Sequence, residues 1–526
     1  MGRITRRAIK GLRRLIARLD AAFNALYGWK YNPLYHSGAL AVAAFVALLG
    51  TGLYLIFFYR IGAPYASVAR ITGQAWTGRW IRGIHRYASD VAVVAAAVHA
   101  ARMFVQDRSW GPRALAWVSG LGLVFLFFVC GWTGYVMVWD VQAKLLAEEG
   151  ARIMDALPIF SEPIRRTFVG EQPIPGAFFF LNLFAHIALP VGVALALWIH
   201  VSRIARPSLL PPRRLMWGVA GLFLALALVW PLSMDAKADL FSVPRSVSVD
   251  AFYTFWLPVT RAFSPGWVWT GFLAVSLVLV AVPWAVRPRA GAAPTPSVVN
   301  ERFCTGCSQC ALDCPYEAIS MFRRDDGREG LVARVDPDLC VSCGICAGSC
   351  APMGVGPPRR TGRDQLVRVK QFVDRHAPTG EDVILVACTR GAGGVGAMGG
   401  FAGAPVFPVS CAGSLHTSVI EYLVRSGAGG VLVASCPPRD CWNREGVKWL
   451  EERVYYEREA ELKERVDRSR VRLVCAGEAE IGRVAAALEA FRAEVRALGR
   501  SAVEEGIEID TECDVPDPEA LDKVMG

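Results

Sequence analysis

The chain has 526 residues, of which 53% are hydrophobic, and its formal net charge is +10. This length predicts several domains, and the mean hydropathy of +0.33 is high for a soluble protein. The charge does not indicate a nucleic-acid partner, because much of it lies in arginines that flank apolar segments. Fourteen of the fifteen cysteines follow residue 300 in clusters, which favours metal centres in a reducing compartment over disulfides.

The N-terminal half of the sequence predicts a membrane domain. Residues 3–18 (RITRRAIKGLRRLIAR) are basic and amphipathic and lack a signal-peptide cleavage pattern, so we predict an interfacial helix over residues 1–29. Apolar segments follow near 38–58, 88–105, 115–138, 178–201, 215–233 and 267–286. Six spans return the chain to its starting side, and arginine-bearing loops assign that side to the cytoplasm. An all-α transmembrane helix bundle is therefore predicted over residues 30–290, in the cell inner membrane.

Two histidine pairs recur within these segments at the same spacing. His85 and His99 are fourteen residues apart, and so are His186 and His200. Fourteen residues are almost four helical turns, so each pair shares a helix face over roughly 21 Å. Two such helices would hold one histidine couple near each side of a bilayer core about 30 Å thick. Neutral imidazole is a good axial ligand for haem iron. The alternative is four unrelated histidines, but ionisable residues within spans are rare and usually functional.

Glycines repeat the same spacing on two other apolar segments. Gly38 and Gly52 lie on the first segment, and Gly120 and Gly134 lie on the third. A glycine lets a flat macrocycle approach a helix backbone, although apolar helices also use glycine for packing. The shared spacing of glycines and histidines favours the macrocycle.

Residues 30–205 resemble the N-terminal half of cytochrome b from the cytochrome bc family. The matching stretches are GRWIRGIH (78–85), HAAR (99–102), TGYVMVWDVQ (133–142) and HIALP (186–190). The resemblance implies two b haems and quinone as a substrate. It implies the ligand pairs His85 with His186 and His99 with His200, and haem-propionate contacts from Arg82 and Arg102.

Three positions extend or limit this resemblance. The family's Pro-Trp after Gly-Tyr is Val138-Trp139 here. Its Pro-Glu-Trp-Tyr signature of quinol oxidation is absent, and the nearest stretch is 249–253 (VDAFY). His36 precedes Gly38 where chloroplast-type cytochromes b place a cysteine that holds an extra haem. We therefore consider a quinone or third-haem pocket beside His36, with a satisfied interfacial histidine as the alternative.

A linker over 287–300, rich in alanine and proline, leads to eight cysteines. They form two runs with the spacing C-x2-C-x2-C-x3-C: Cys304, Cys307, Cys310 and Cys314, then Cys340, Cys343, Cys346 and Cys350. The pattern resembles the two-cluster bacterial ferredoxin family over 298–356, and we place this domain at 297–358. In this spacing the fourth cysteine of each run binds the other cluster. One [4Fe–4S] cluster should thus use Cys304, Cys307, Cys310 and Cys350, and the second Cys340, Cys343, Cys346 and Cys314. A zinc site is the alternative.

Residues 366–500 predict a small α/β domain. Short β-branched runs at 383–387, 406–409, 431–434 and 471–474 alternate with helical patterns at 415–426, 443–466 and 479–498. Four cysteines lie at or just beyond the strand ends, where open α/β sheets form binding sites: Cys388, Cys411, Cys436 and Cys441.

The stretches VLVASCPPRDCWN, VSCAG and VDRSRVRLV resemble the delta subunit of methyl-viologen-reducing hydrogenase. This resemblance implies a [2Fe–2S] cluster on those four cysteines and electron exchange with a soluble redox protein. The family's first motif holds more cysteines than Cys388 alone. The alternative is a set of core cysteines or a lost cluster.

Two further stretches are interpreted from their composition. The sequence GAGGVG at 391–396 satisfies G-x-G-x-x-G after a strand, but the next strand begins near residue 405. A dinucleotide fold needs a helix there, so we predict a flexible loop in place of a nucleotide site. The acidic tail at 501–526 is predicted to be solvated or to face a partner.

Together these features predict a membrane-bound electron-transfer subunit of a respiratory complex. It would link the quinone pool, through two b haems, to cytoplasmic iron–sulfur clusters and a soluble redox partner. One alternative is a bifurcating quinol oxidoreductase subunit of a cytochrome bc-like complex, and another is a non-catalytic redox-sensing anchor. The predicted fold is an all-α dihaem bundle, a ferredoxin-type α+β module and a C-terminal α/β domain.

Overall fold

The computed structural model describes residues 3–159, 162–168, 174–202, 206–241, 248–287, 294–397, 401 and 403–498. The predicted acidic tail and residues 288–293 of the predicted linker lie outside these residues. The chain divides into two compact units. One comprises residues 1–3 and 31–287, and the other comprises residues 4–30 and 288–526.

Helices make up the N-terminal part of the chain. They are α1 (Arg3–Tyr27), α2 (Ser37–Phe58), α3 (Pro64–Gly73), α4 (Gly78–Val105), α5 (Ala114–Val136), α6 (Val141–Met154), α7 (Gly176–Ser202), α8 (Arg213–Val229), α9 (Leu257–Ala262) and α10 (Pro265–Ala285). Short 3₁₀ turns occupy Gly111–Arg113 and Ile164–Phe168. The prediction of a helical N-terminal domain is confirmed.

Within the described residues, five helices are long and apolar enough to cross a membrane, namely α2, α4, α5, α7 and α10. The sixth predicted span corresponds to α8, which has 17 residues. At 1.5 Å per residue α8 is about 25 Å long, slightly less than the bilayer core. Helix α8 packs closely on α4 because Gly83 has no side chain: a Cβ there would lie 2.7 Å from the Ala227 Cβ.

The second unit begins with the cysteine-rich module. Its elements are β1 (Val298–Val299), α11 (Gln309–Leu312), β2 (Ile319–Arg323), β3 (Leu331–Val335), α12 (Ile345–Ser349) and β4 (Val355–Gly356). Strand β1 pairs with β4 and β2 pairs with β3, both antiparallel. This arrangement of two short sheets and two short helices confirms the predicted α+β module.

The C-terminal domain is a parallel four-stranded sheet flanked by helices. Its elements are α13 (Gly362–His376), β5 (Val383–Cys388), α14 (Ala392–Ala397), β6 (Val406–Val409), α15 (Thr417–Arg425), β7 (Gly430–Ser435), α16 (Gly446–Tyr455), β8 (Val471–Cys475) and α17 (Ile481–Leu498). Further 3₁₀ turns lie at Ala412–Ser414 and Arg468–Arg470. The strand order is β6-β5-β7-β8. Strands β5 and β7 are buried along their whole length, as expected for a parallel sheet covered on both faces.

Two local predictions in this domain are wrong. The stretch predicted as a loop at 391–396 forms the short helix α14. It fits against the sheet because its glycines are small: a Cβ at Gly393 would lie 2.9 Å from the Ala434 Cβ. The helix predicted over 443–466 ends at Tyr455. The chain turns back there, and the Leu462 N–H donates to the Arg453 carbonyl at 2.8 Å.

Helix α1 contacts the C-terminal domain through its polar face. The Arg13 Nε forms an ion pair with Glu478 at 2.7 Å, and the Asn24 Nδ2 donates to Glu480 at 3.0 Å. On α1 the apolar side chains of Leu15 and Leu19 are exposed. A bound polar face and a free apolar face agree with the predicted interfacial helix, which stays a prediction.

Candidate cofactor sites

The four spaced histidines lie on two helices of the first unit. His85 and His99 are on α4, and His186 and His200 are on α7. The ring centres of His85 and His186 are 6.3 Å apart. A metal ion bound about 2 Å from each imidazole nitrogen separates two axial rings by roughly 6 Å. The His85–His186 couple therefore fits a haem iron between the rings. His99 and His200 lie within electrostatic range of each other.

Hydroxyl groups orient three of these imidazoles through Nδ1. The Nδ1–Oγ distances are 2.8 Å for His85 with Thr51, 3.0 Å for His186 with Thr133 and 3.0 Å for His200 with Ser119. The His186 Nδ1 also lies 3.0 Å from the Cys130 carbonyl, which can only accept, so this nitrogen carries the proton. An imidazole that donates through Nδ1 keeps the Nε2 lone pair for a metal.

Each spaced glycine lies against one of the histidines. A Cβ at Gly38 would lie 2.9 Å from the His99 Nδ1, and a Cβ at Gly134 would lie 3.0 Å from the His186 Cε1. Gly52 faces His85 and Gly120 faces His200 in the same manner, both at 3.3 Å. The glycines of α2 thus make room for the imidazoles of α4, and those of α5 for the imidazoles of α7.

We expect Gly38→Ala and Gly134→Ala to weaken haem retention. The added methyl group overpacks the imidazole, at a cost of about 1–3 kcal/mol to the haem-bound state. Haem occupancy during dilution or mild heating measures the effect. Gly50→Ala and Gly122→Ala are matched controls on the same two helices, because a Cβ at either glycine meets nothing within 4 Å. Equal haem retention in all four variants would contradict this role of the glycines.

Three other predicted residues of this domain lie at the helix ends. The Arg82 Nη1 donates to the Thr72 hydroxyl at 2.9 Å. Arg102 is buried near the end of α4, with its guanidinium 5.0 Å from the centre of the Tyr35 ring. His36 is buried directly before α2. The propionate contacts of the two arginines, and the pocket beside His36, stay predictions.

Sequence reasoning missed the hydroxyl residues, although a signal was present. A serine or threonine immediately precedes every spaced glycine, as Ser37-Gly38, Thr51-Gly52, Ser119-Gly120 and Thr133-Gly134. One dipeptide therefore supplies both the hydroxyl for a histidine and the space beside it.

A half-buried polar group next to His85 was also missed. The Arg86 Nη2 donates to the Tyr135 hydroxyl at 2.6 Å and lies 3.5 Å from the Asp250 carboxylate. The Tyr135 hydroxyl donates to the same carboxylate, and Arg86 also pairs with Asp90. Asp250 belongs to the VDAFY stretch, which is the stretch nearest to the absent Pro-Glu-Trp-Tyr signature, and its carboxylate meets the hydroxyl of Tyr135.

The first predicted cysteine set surrounds one cavity of the second unit. Cys304, Cys307, Cys310 and Cys350 all line it, together with residues between Val299 and Val355. The Gly354 N–H donates to the Cys350 Sγ at 3.2 Å, and such bonds tune the potential of a cluster. The structure therefore brings the fourth cysteine of the second run beside the first three of the first run.

The second predicted set converges in the same way. Cys343 interacts electrostatically with Cys314, Cys340 and Cys346. The Ser297 hydroxyl lies 3.3 Å from the Cys346 Sγ, and the Ala318 N–H donates to the Cys314 Sγ at 3.4 Å. Burial raises the pKa of Cys343 well above its usual value. Such a thiol stays protonated unless a metal replaces the proton.

The four cysteines of the C-terminal domain are buried together at the carboxyl end of the sheet. Hydrogen bonds link Cys388 with Cys436, Cys436 with Cys441, and Cys411 with Cys441. These contacts and burial raise the pKa of both Cys411 and Cys436 well above the usual range. A Cβ at Gly446 would lie 2.6 Å from the Cys411 Sγ, so this glycine keeps the site open. The structure therefore brings the four predicted ligands of the [2Fe–2S] centre together, and the cluster itself stays a prediction.

Across the described residues, no three His, Cys, Asp or Glu side chains have the spacing of ligands to a single metal ion. An iron–sulfur cluster distributes its thiolates over several irons, so it does not require that spacing.

Three family models match separate parts of the chain. Their descriptions are "Cytochrome b/b6/petB" for residues 26–207, "4Fe-4S dicluster domain" for 303–354 and "Methyl-viologen-reducing hydrogenase, delta subunit" for 382–499. The chain is a fusion of a cytochrome b domain, a [4Fe–4S] dicluster domain and a domain of the hydrogenase delta-subunit type. It is therefore a multi-pass membrane protein of electron transfer, with haem b in its cytochrome b domain and a [4Fe–4S] cluster in its ferredoxin domain.

Individual relatives match the cytochrome b domain. The "Menaquinol:cytochrome c reductase cytochrome b subunit" proteins of Geobacillus thermodenitrificans and Bacillus subtilis are 26% and 27% identical to the chain. Both alignments span 186 residues, which is 33% of this chain and 83% of each relative. A solved structure titled "Hyperthermophilic respiratory Complex III" is 20% identical with a TM-score of 0.39, and the match covers 48% of this chain and 75% of that one.

Proposed function

We propose that the chain carries electrons between the quinone pool and a soluble redox protein on the cytoplasmic side. Its route comprises two b haems, two [4Fe–4S] clusters and a [2Fe–2S] centre. The observation that carries the proposal is the contact between the two iron–sulfur domains. There, Ile345, Cys411 and Trp449 form one buried cluster, and Cys343 packs against it. Thiols from two predicted centres thus meet in one packed core, which supports a continuous path.

The haem part of the proposal rests on the two histidine couples. His85 with His186 holds one haem, and His99 with His200 holds the other. The second couple lies at the carboxyl ends of α4 and α7 and at the amino end of α2, where Gly38 contacts His99. With both termini in the cytoplasm, this end of the bundle is the cytoplasmic one. The haem of His99 and His200 is then the inner haem, which passes electrons to or from the clusters.

Quinone as the membrane-side substrate is supported by the relatives, whose names identify subunits of menaquinol:cytochrome c reductases. By the same comparison, other subunits of a respiratory complex are the proposed membrane partners. Mixing the purified chain anaerobically with a menaquinol analogue, and following the haem bands, tests this function. We expect rapid haem reduction. Haems that stay oxidised with the quinol analogue but accept electrons from a chemical reductant would favour the redox-sensing anchor instead.

A second candidate function, oxidation of quinol on the outer side by a bifurcating complex, is favoured by one observation. The Asp250 carboxylate contacts both Arg86 and Tyr135. Arg86 directly follows the proposed haem ligand His85 in the sequence. An acid beside a redox cofactor can accept a proton when quinol is oxidised.

We expect Asp250→Asn to slow haem reduction by a menaquinol analogue by at least about tenfold, because the amide cannot accept the quinol proton. Stopped-flow spectra of the haem bands measure this rate, and haem content should be unchanged. Asp239→Asn is the matched control, because Asp239 is an exposed acid in the same α8–α10 connection. An unchanged rate for Asp250→Asn would contradict the second candidate function and would leave the first intact.

A further inference from the structure

Trp449 lies at the contact between the two iron–sulfur domains. It is buried with Ile345 and Cys411, and Cys343 packs against the same cluster. The Arg458 guanidinium lies 4.2 Å from the centre of the Trp449 ring. The Trp449 Nε1 is buried and has no hydrogen-bond partner among the described residues. This N–H therefore lies in the packed core that contains Cys343 of one site and Cys411 of the other.

Arg453 bridges the same two domains from the next turn of α16. Its side chain is fully buried. The Nη1 donates to the Ser349 hydroxyl at 2.8 Å, and the Nη2 donates to the Gly413 carbonyl at 2.7 Å. Ser349 directly precedes Cys350, and Gly413 follows Cys411 by two residues. One guanidinium thus fixes backbone beside cysteines of both domains.

The counter-charge of Arg453 is Asp313, which directly precedes Cys314. The Asp313 side chain is fully buried and lies 3.7 Å from the Arg453 Nη1. It accepts from the Ser349 hydroxyl at 2.6 Å and also pairs with Arg458. Two arginines therefore share one carboxylate, which leaves a net positive charge at the contact. The Nε atoms of both arginines are also buried, with no partner in the described part of the chain.

A positive charge near an iron–sulfur cluster favours the reduced form, because reduction adds one negative charge. Buried N–H groups act in the same direction when they donate to sulfur. Arg453, Arg458 and Trp449 supply both features. Removing them should make the neighbouring centres harder to reduce.

We propose that Trp449 and Arg453 form the junction at which the C-terminal centre exchanges electrons with the cluster of Cys314, Cys340, Cys343 and Cys346. Arg453 is a positioning residue that holds the two sites together and raises their potentials. In the exchange one centre loses one electron and the other gains it, with no bond formed or broken. The inference rests on the proposed function for the cofactors themselves.

The other [4Fe–4S] site has its cavity within the ferredoxin module. All residues that line its cavity lie between Val299 and Val355, in the ferredoxin module. Its Cys307 is exposed. The C-terminal domain reaches Cys350 of this site at the backbone, where His416 Nε2 lies 3.2 Å from the carbonyl, while Arg453 contacts the preceding Ser349. The His416 Nδ1 accepts from the Ser418 N–H, so Nε2 carries the proton and donates. The order is therefore C-terminal centre, Cys343 cluster, then Cys307 cluster.

Redox titrations of the full chain, monitored by EPR, test the junction. Arg453→Gln should shift the potentials of the C-terminal centre and of one [4Fe–4S] cluster to more negative values. Arg453→Lys, which keeps the charge, should leave both potentials close to those of the unmodified chain. Trp449→Phe, which keeps the packing, should give a smaller shift in the same direction. Arg470→Gln is the matched control, because Arg470 is a buried arginine that donates to the Gly429 carbonyl at the opposite end of the sheet.

A second readout does not depend on the arginine variants. In the fully reduced chain, magnetic coupling should broaden the signal of the C-terminal centre. Cys343→Ala should abolish this broadening and Cys307→Ala should preserve it. The reverse pattern would overturn the proposed order, and unchanged potentials in Arg453→Gln with full iron content would overturn the role of Arg453. Absence of a C-terminal signal in the unmodified chain would overturn the proposed cofactor set, and the junction with it.

Discussion

Replacing His186 with alanine is expected to remove one b haem and leave the other. The ring centres of His186 and His85 are 6.3 Å apart, so we propose that the two imidazoles bind the same iron. An iron that loses one axial imidazole becomes five-coordinate and binds its protein more weakly. Haem extraction as the pyridine complex, with total metal analysis, measures the loss.

Double variants show which two histidines bind the same haem. His85→Ala with His186→Ala should lose one haem, because both residues serve the same iron. His85→Ala with His99→Ala should lose both haems, because these residues serve different irons. His376→Ala, at the end of α13 outside the membrane domain, is the control. Two intact low-spin haems in each of the four single variants would contradict the ligand assignment.

Replacing Cys436 with serine is expected to block electron exchange between the haems and a soluble protein donor. The Cys436 thiol is buried and interacts with the thiols of both Cys388 and Cys441, so its loss should remove a central ligand of the proposed C-terminal centre. Haem reduction by a quinol analogue should continue, because those electrons enter from the membrane. Stopped-flow spectra with each donor measure the two rates.

Cys475→Ser is the matched control for this experiment. Cys475 ends β8 in the same domain, and its Sγ lies 3.5 Å from the Ser435 hydroxyl, outside the predicted ligand set. This variant should keep both rates. Undiminished haem reduction by the soluble donor in Cys436→Ser would show that the C-terminal domain is not on the path.

Periodic features of the sequence were sufficient to predict the framework of the membrane domain. His85 and His99 lie on one face of their helix because fourteen residues are nearly four turns, and this holds in any sufficiently long helix. The role of the four glycines was predicted from the same fourteen-residue spacing, and the structure adds that each glycine faces an imidazole. The cysteine runs were equally informative, because thiolate spacing is dictated by the cluster and not by the fold around it.

Contacts between distant parts of the chain could not be predicted in this way. Arg453 and Asp313 are separated by about 140 residues; Arg453 lies outside any motif, and Asp313 is a spacer residue of the first cysteine run. A buried arginine is unexpected from composition, because charged side chains are almost never fully buried unless they are paired. The group around Asp250 is similar, since its partners come from α4 and α5. Such pairs become visible only when the fold brings the segments together.

The wrong local predictions share one physical cause, which is tertiary packing that overrides local pattern. The glycines at 391–396 predicted a loop because glycine disfavours helices. In the folded domain their small size allows α14 to pack directly on β5 and β7. The polar periodicity after Tyr455 predicted a longer helix. The Thr417 hydroxyl instead donates to the Ala460 carbonyl at 2.7 Å and holds the chain in its turn.

We propose that one chain conducts electrons along an ordered series of centres from the cytoplasm to the membrane. Rapid-freeze EPR and optical spectra of the same samples test this order after the oxidised full chain is mixed with a reduced ferredoxin. We expect the C-terminal centre to be reduced first, the [4Fe–4S] clusters next and the b haems last. Haems that are reduced before any iron–sulfur centre would contradict it.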